Sequence, residues 1–225
     1  MIAIQSLSKR YDNDQYGLND VSLAIDQGEF VFLVGPSGSG KTTLFNVLHG
    51  RECPSAGRAQ VLAYELTRLR VDQLPILRRD VGMIFQDYKL LPRRTVYENI
   101  AFVLQVLHYK RRRIHQLVHQ VLDLVGLTNK AHAYPRALSG GEQQRICIAR
   151  AIVHQPRILL ADEPTGNLDP DTAWDIMQLL GKINQRKTTI IVATHDWRIV
   201  NKMRRRVVRL MNGTVMSDTI MGHYA

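Results

Sequence analysis

An α/β layered fold is predicted for this chain of 225 residues by three short, almost uninterrupted apolar runs and by the loop and helical pattern behind each of them. Residues 30–34, 158–161 and 190–193 have the length and composition of strands buried on both faces. Each leads into a polar loop and then a helical pattern, the alternation that lays helices against a parallel sheet. Taken in chain order, strand-like stretches near 1–7 and 20–26 precede the first run. Others lie near 57–63, 81–85, 205–210 and 213–217. These would either extend the parallel sheet or add an antiparallel one.

The middle of the chain reads as helix. Ile114, Leu117, Val118, Val121, Leu122 and Val125 recur on one face of a 3.6-residue period, and Gly126 is placed to end that helix. Further helical stretches cover about 95–108 and about 140–154. The expected organisation is one domain over 1–225, with a core at 1–86 and 156–225 and a helical insert at about 87–155.

Composition narrows the class of function. Hydrophobic residues make up 45% and charged residues 22%, which excludes a disordered chain or a disulfide scaffold. Cys53 and Cys147 match no zinc pattern, and a reducing compartment is the simplest home for them. Neither a signal peptide nor an apolar run of the ~18 residues a membrane span needs is visible. Action at a membrane therefore calls for a partner. The formal net charge is +10, and residues 87–155 hold 11 Lys/Arg against 4 Asp/Glu. That balance favours anionic partners without choosing among them. The runs 110–113 and 204–206 read as solvated basic faces in preference to lipid contacts.

Three motifs carry chemistry. Gly35-Pro36-Ser37-Gly38-Ser39-Gly40-Lys41-Thr42 fits the phosphate-loop pattern and stands between a buried strand and a helical run that starts at Thr43. Its glycines let backbone N–H groups converge on an anion, and the helix N-terminus adds a favourable dipole. Lys41 is placed to reach β- and γ-phosphates, and the Thr42 hydroxyl to ligate Mg²⁺. At the end of the second apolar run stand Asp162 and Glu163, where an open α/β sheet binds its ligand. Asp162 suits a Mg²⁺ shell and Glu163 a general base. The third motif is Leu138-Ser139-Gly140-Gly141-Glu142-Gln143-Gln144. Ser139 and Glu142 have capping-box spacing, and a helix start with two glycines also offers N–H groups to a phosphate.

These three motifs, in this order, resemble the nucleotide-binding domain of the ABC ATPases over essentially the whole chain. The resemblance implies a RecA-like phosphate-loop core, an antiparallel β subdomain and an α-helical insert. It implies ATP and Mg²⁺ as ligands, and a head-to-tail homodimer in which Ser139, Gly140, Gly141 and Glu142 close over ATP held by the other copy. Residues 35–43, Gly35 to Thr43, would cradle the phosphates. Gln86 looks like the glutamine that senses Mg²⁺ and the γ-phosphate, and His195 like the switch histidine. Asp169 looks like the acid linking the two protomers, and Tyr11 like the ring stacked on adenine, with Tyr16 close enough to take its place.

Residues 82–99 and 160–170 closely resemble the FtsE family of cell-division ATPases, in its Gram-positive form. That resemblance implies a peripheral protein at the cytoplasmic face of the membrane, at the division septum. Its partner would be the membrane protein FtsX, which acts on an extracellular peptidoglycan hydrolase, and no nucleic acid is expected. The groove for FtsX is expected near residues 87–92. The alternative is the ATPase of a lipoprotein-release or macrolide-export transporter, which shares the same catalytic residues.

Overall fold

Residues 1–12 and 14–222 are described by a computed structural model, and among them ten strands divide between two sheets. A hairpin of β1 (Ile2–Arg10) and β2 (Tyr16–Ile25) opens the chain. The apolar β3 (Phe30–Val34) then runs through the glycine-rich loop into α1 (Lys41–Leu48). The chain returns to the hairpin as β4 (Ala56–Val61) and the two-residue β5 (Tyr64–Glu65), then crosses through α2 (Leu74–Asp80) to β6 (Val81–Ile84). Three helices come next: α3 (Val96–Val106), α4 (Arg111–Val125) and α5 (Gly140–Ile152). The remainder is β7 (Ile158–Asp162), α6 (Pro170–Asn184), β8 (Thr189–Thr194), α7 (Trp197–Met203) and the antiparallel pair β9 (Arg206–Met211) and β10 (Thr214–Thr219).

The two possibilities left open by the short strands are both realised. β2, β1, β4 and β5 form an antiparallel sheet, while β10, β9, β3, β8, β7 and β6 form a second sheet that is parallel from β9 to β6. The period of two along each central strand divides the core into two. Phe30, Phe32 and Val34 of β3 face one side, with Leu159, Ala161, Ile190 and Val192, against α3, α4, α5 and α6. Val31, Leu33, Leu160, Ile191 and Val208 face the other, against α1 and the antiparallel sheet. Both faces being covered explains why these strands read as continuous apolar runs.

Helix boundaries reflect local chemistry. α3 starts at a Thr95–Glu98 capping box and α5 at the Ser139–Glu142 box. Asp169 caps α6, with Pro170 in its first turn, and α4 ends on Gly126 at φ 71°. The expected 114–125 helix begins three residues earlier, at Arg111, although its first turn holds no acidic residue. Its buried face, Ile114 to Val125, supplies what the N-terminal charges withhold. One surface expectation is corrected. The Arg206 side chain is 17% exposed and bridges Glu29, Asp218 and the Ala24 carbonyl, so it ties the two sheets together where a solvated face was expected.

Candidate functional site

Four loops leave the carboxyl ends of adjacent parallel strands and meet above the sheet. They emerge from β3, β8, β7 and β6, and they carry the phosphate loop, His195, the Asp162–Glu163 pair and Gln86. The register sets their ends side by side, with Val34 opposite Thr194 and Asp162 opposite Ala193. A crevice outside the carboxyl ends of the strands is where an open α/β sheet binds its ligand.

The phosphate loop is a tight wrap. Gly35, Gly38 and Gly40 take φ values of 151°, 77° and 103°. At Gly40 a Cβ would run into the Gly17 carbonyl, so the loop needs glycine there for close approach as well as for its backbone angle. The Lys41 ammonium is buried and donates to the carbonyls of Gly35 (2.7 Å) and Pro36 (3.0 Å), with Ser39 Oγ at 3.4 Å. Burial lowers its pKa, while Glu163 and Asp162 pull the other way. A buried ammonium within a glycine-rich turn that presents backbone N–H groups is a site for a polyanion.

The carboxylates differ in their surroundings. Asp162 is 5% exposed, and its Oδ2 accepts from the Thr42 hydroxyl at 3.1 Å. Burial raises its pKa against that hydrogen bond. Glu163 has φ 46°, a left-handed backbone for a residue with a side chain, held by its N–H donating to the Ala193 carbonyl at 2.9 Å. Its Oε1 meets His195 Nδ1 at 2.9 Å, while Oε2 is buried with no hydrogen-bond partner. An orphaned, buried carboxylate oxygen is an acceptor waiting for a proton donor.

A pocket of about 630 Å³ gathers these groups. Its lining takes residues 36–43 from the loop, Gln86, Asp162, Glu163 and His195, and both Tyr11 and Tyr16 at the mouth. Tyr11 is the more firmly held, its hydroxyl 3.0 Å from Thr43 Oγ1 and the Lys9 ammonium 5.3 Å from its ring centre. Gly35 lies beneath the lining as the acceptor for Lys41. Gln15 and Gly17 also line the pocket and were not anticipated from the sequence. A Cβ on Gly17 would crowd Tyr11 and Thr43, but a lone glycine inside a strand pattern gives no sign of which loop approaches it.

The third motif is elsewhere. Ser139, Gly140, Gly141 and Glu142 open α5, and neither they nor Asp169 line the pocket. Ser139 Oγ accepts from Glu142 N–H at 3.2 Å, and Glu142 Oε2 from Ser139 N–H at 2.9 Å. Gly141 packs so closely on Thr172 that a Cβ would lie 2.5 Å from its methyl, which sets the start of α5 against the start of α6. Asp169, capping α6 through the Thr172 N–H at 3.0 Å, is therefore near the same turn, and hydrogen bonding from the Thr172 hydroxyl, then from its N–H, holds the carboxyl below the usual range.

The ABC transporter family matches residues 18–166. The cell division ATP-binding protein FtsE of Streptococcus pneumoniae is 50% identical over 224 residues, covering 100% of this chain and 97% of that one. FtsE of Mycobacterium tuberculosis is 48% identical and that of Bacillus subtilis 46%, each with 100% of this chain and 98% of the relative covered. Among solved structures, a dimeric ATP-binding cassette in a post-hydrolysis state bound to ADP and Pi superposes with a TM-score of 0.89 at 34% identity, with both chains fully covered. The cbiO1 subunit of Clostridium perfringens superposes with a TM-score of 0.91 at 29% identity, over 98% of this chain and 88% of that one.

Proposed function

This chain belongs to the ABC transporter family, as an ATP-hydrolysing protein of the FtsE cell-division type, and on that premise we propose that two copies close head to tail over ATP and pass the closure to the membrane protein FtsX. One observation carries the reading. The pocket around Lys41 is concave and rich in phosphate-binding groups, yet the Ser139 turn, which has the chemistry of a second phosphate contact, opens on a different part of the surface. A second copy turned head to tail would bring its own Ser139 turn to the mouth.

In this reading the N–H groups of residues 37–42 and the Lys41 ammonium bind the phosphates, and the ring of Tyr11 or Tyr16 stacks on adenine. Asp162, Thr42 and Gln86 are oxygen donors suited to Mg²⁺, which would neutralise charge on the β- and γ-phosphates. Glu163 Oε2 takes a proton from water as the water oxygen attacks the γ-phosphorus. The bond from that phosphorus to the bridging oxygen breaks, and ADP and phosphate leave. His195 holds Glu163 in place through Nδ1. Gln86, at the start of the segment that leads to residues 87–92, links the pocket to the groove proposed for FtsX.

Closure is favoured only so far as ATP binds the closed pair better than the open one, so hydrolysis, which removes the shared γ-phosphate, releases it. FtsX would carry that cycle across the membrane to a peptidoglycan hydrolase at the septum. Among the described residues no helix is long and apolar enough to cross a membrane, which fits a peripheral subunit. The relatives favour this cell-division reading over a lipoprotein-release or macrolide-export transporter.

The test is Glu163→Gln in the full chain. It should abolish phosphate release, retain ATP and accumulate a dimer on size exclusion. Sustained hydrolysis by this variant would refute the assignment of Glu163.

A further inference from the structure

We propose that Arg150 is a positioning residue for hydrolysis, because it fastens the segment that carries Gln86 to the helix that carries the Ser139 turn. The inference rests on the ATPase reading and names the part that makes its two halves move together. Arg150 lies in the last turn of α5 and is half-buried. Its Nη1 donates to the Lys89 carbonyl at 2.6 Å and its Nη2 to the Tyr88 carbonyl at 2.9 Å. Cys147, one turn earlier on the same face, directs its thiol to the same Tyr88 carbonyl at 3.1 Å. Burial pushes that thiol up to about 12, so it stays protonated and remains a donor.

The segment so held is itself a closed unit. Lys89 has φ 47°, a backbone that persists only where its surroundings enforce it. Its ammonium lies 4.5 Å from the ring centre of Phe85, so residues 85 to 89 fold back on themselves around Gln86. Tyr88 runs along α5 from the grip on its carbonyl towards the first turn, where a Cβ on Gly140 would lie 3.3 Å from the Tyr88 hydroxyl. One residue of the Gln86 segment thus touches α5 near both ends.

Stability alone is a poor reason for this arrangement. Among the described residues Arg150 makes no ion pair, and burial lowers its pKa, so keeping a guanidinium there carries a desolvation cost that no carboxylate offsets. The planar fork does what an apolar side chain cannot: it holds two successive carbonyls in a fixed orientation. A displacement of Gln86, from the nucleotide or from a partner in the neighbouring groove, would therefore carry the Ser139 turn with it.

The test uses the full chain co-purified with its membrane partner, comparing Arg150→Gln and Arg150→Lys with wild type for ATP turnover, ATP KM and melting temperature. Neither Arg150 nor the carbonyls it holds line the pocket, so KM should be unchanged. Turnover should fall about ten-fold in Arg150→Gln and recover in part in Arg150→Lys, which keeps one charged donor. Wild-type turnover in Arg150→Gln would overturn the proposal. So would a loss that tracks the melting temperature, with Lys no better than Gln, since that assigns Arg150 to the core. Glu163→Gln runs alongside: turnover persisting there fails the parent reading, whereas wild-type turnover in Arg150→Gln beside a silent Glu163→Gln fails this proposal alone.

Discussion

The Lys41 end of the molecule and the Ser139 end solve the same chemical problem in opposite ways. Around Lys41 the chain turns polar groups inward, leaving a buried ammonium, a buried carboxylate and an unpartnered Glu163 oxygen in one concavity. At Ser139 the polar groups are on a convex helix start and satisfy each other, Ser139 with Glu142 in both directions. The first leaves groups unsatisfied, which on the proposed reading a bound nucleotide would engage. The second is complete in itself and stable without a ligand. Lesions at the two ends should therefore differ in kind, the first set acting within a copy and the second between copies.

The largest effect is expected from Lys41→Ala. Removing the lysine that lines the pocket should lower turnover by ~10³-fold or more and weaken ATP binding, both read from a nucleotide titration. Next is acid sensitivity, which belongs to the Lys41 end because His49 caps the far end of α1. Burial and the neighbouring Arg78 and Arg51 lower the His49 pKa to about 4, and its Nδ1 is buried without a partner. The unfolded chain takes up this proton near pH 6.5 and the folded chain only near 4, so the unfolded state binds more protons in between. Stability should fall as pH drops through that window, by about 3 kcal/mol at most. Chemical denaturation at several pH values should show that loss in the wild type, and His49→Gln should reduce it, leaving the share of His154, whose pKa burial also lowers.

His195→Ala should lower turnover by ~10–100-fold with little change in ATP affinity, because it frees Glu163 without touching the phosphate loop. A matching loss of ATP affinity would place His195 in binding. The smallest effect on the single copy belongs to the other end. Ser139→Ala should destabilise the fold by ~1 kcal/mol, the worth of a helix cap, and leave ATP binding to the isolated copy intact.

How much of this was legible in the sequence depended on the range of the signal. The phosphate loop and the strand ending in Asp162 and Glu163 were readable because strand, loop and helix are consecutive, and their order is the information. The helices of the middle were readable from the period of Ile114 to Val125 and from the capping-box spacing of Ser139 and Glu142, whereas the box that starts α3 at Thr95 was not read. The two-residue β5 and the α2 helix were not, being too short to show a period. Gln15 and Gly17 were missed because they reach the pocket through the packing of one sheet on the other. Arg206 was misread for a related reason, since its partners Glu29 and the Ala24 carbonyl lie far away in sequence and a strand pairing is needed to bring Asp218 beside it. Nothing local marks Arg150 either, whose partners are two carbonyls about sixty residues away.

Whether the Ser139 turn of one copy faces the Lys41 pocket of another decides the whole mechanism. A chain with Cys53→Ser, Ser37→Cys, Ser139→Cys and Glu163→Gln can report this directly by disulfide formation, which requires Cα atoms within ~7 Å. With Mg·ATP present, a band at twice the monomer mass should form on a non-reducing gel, and it should be absent without nucleotide. A monomer that stays uncrosslinked under both conditions, while still binding ATP, would contradict the head-to-tail pairing.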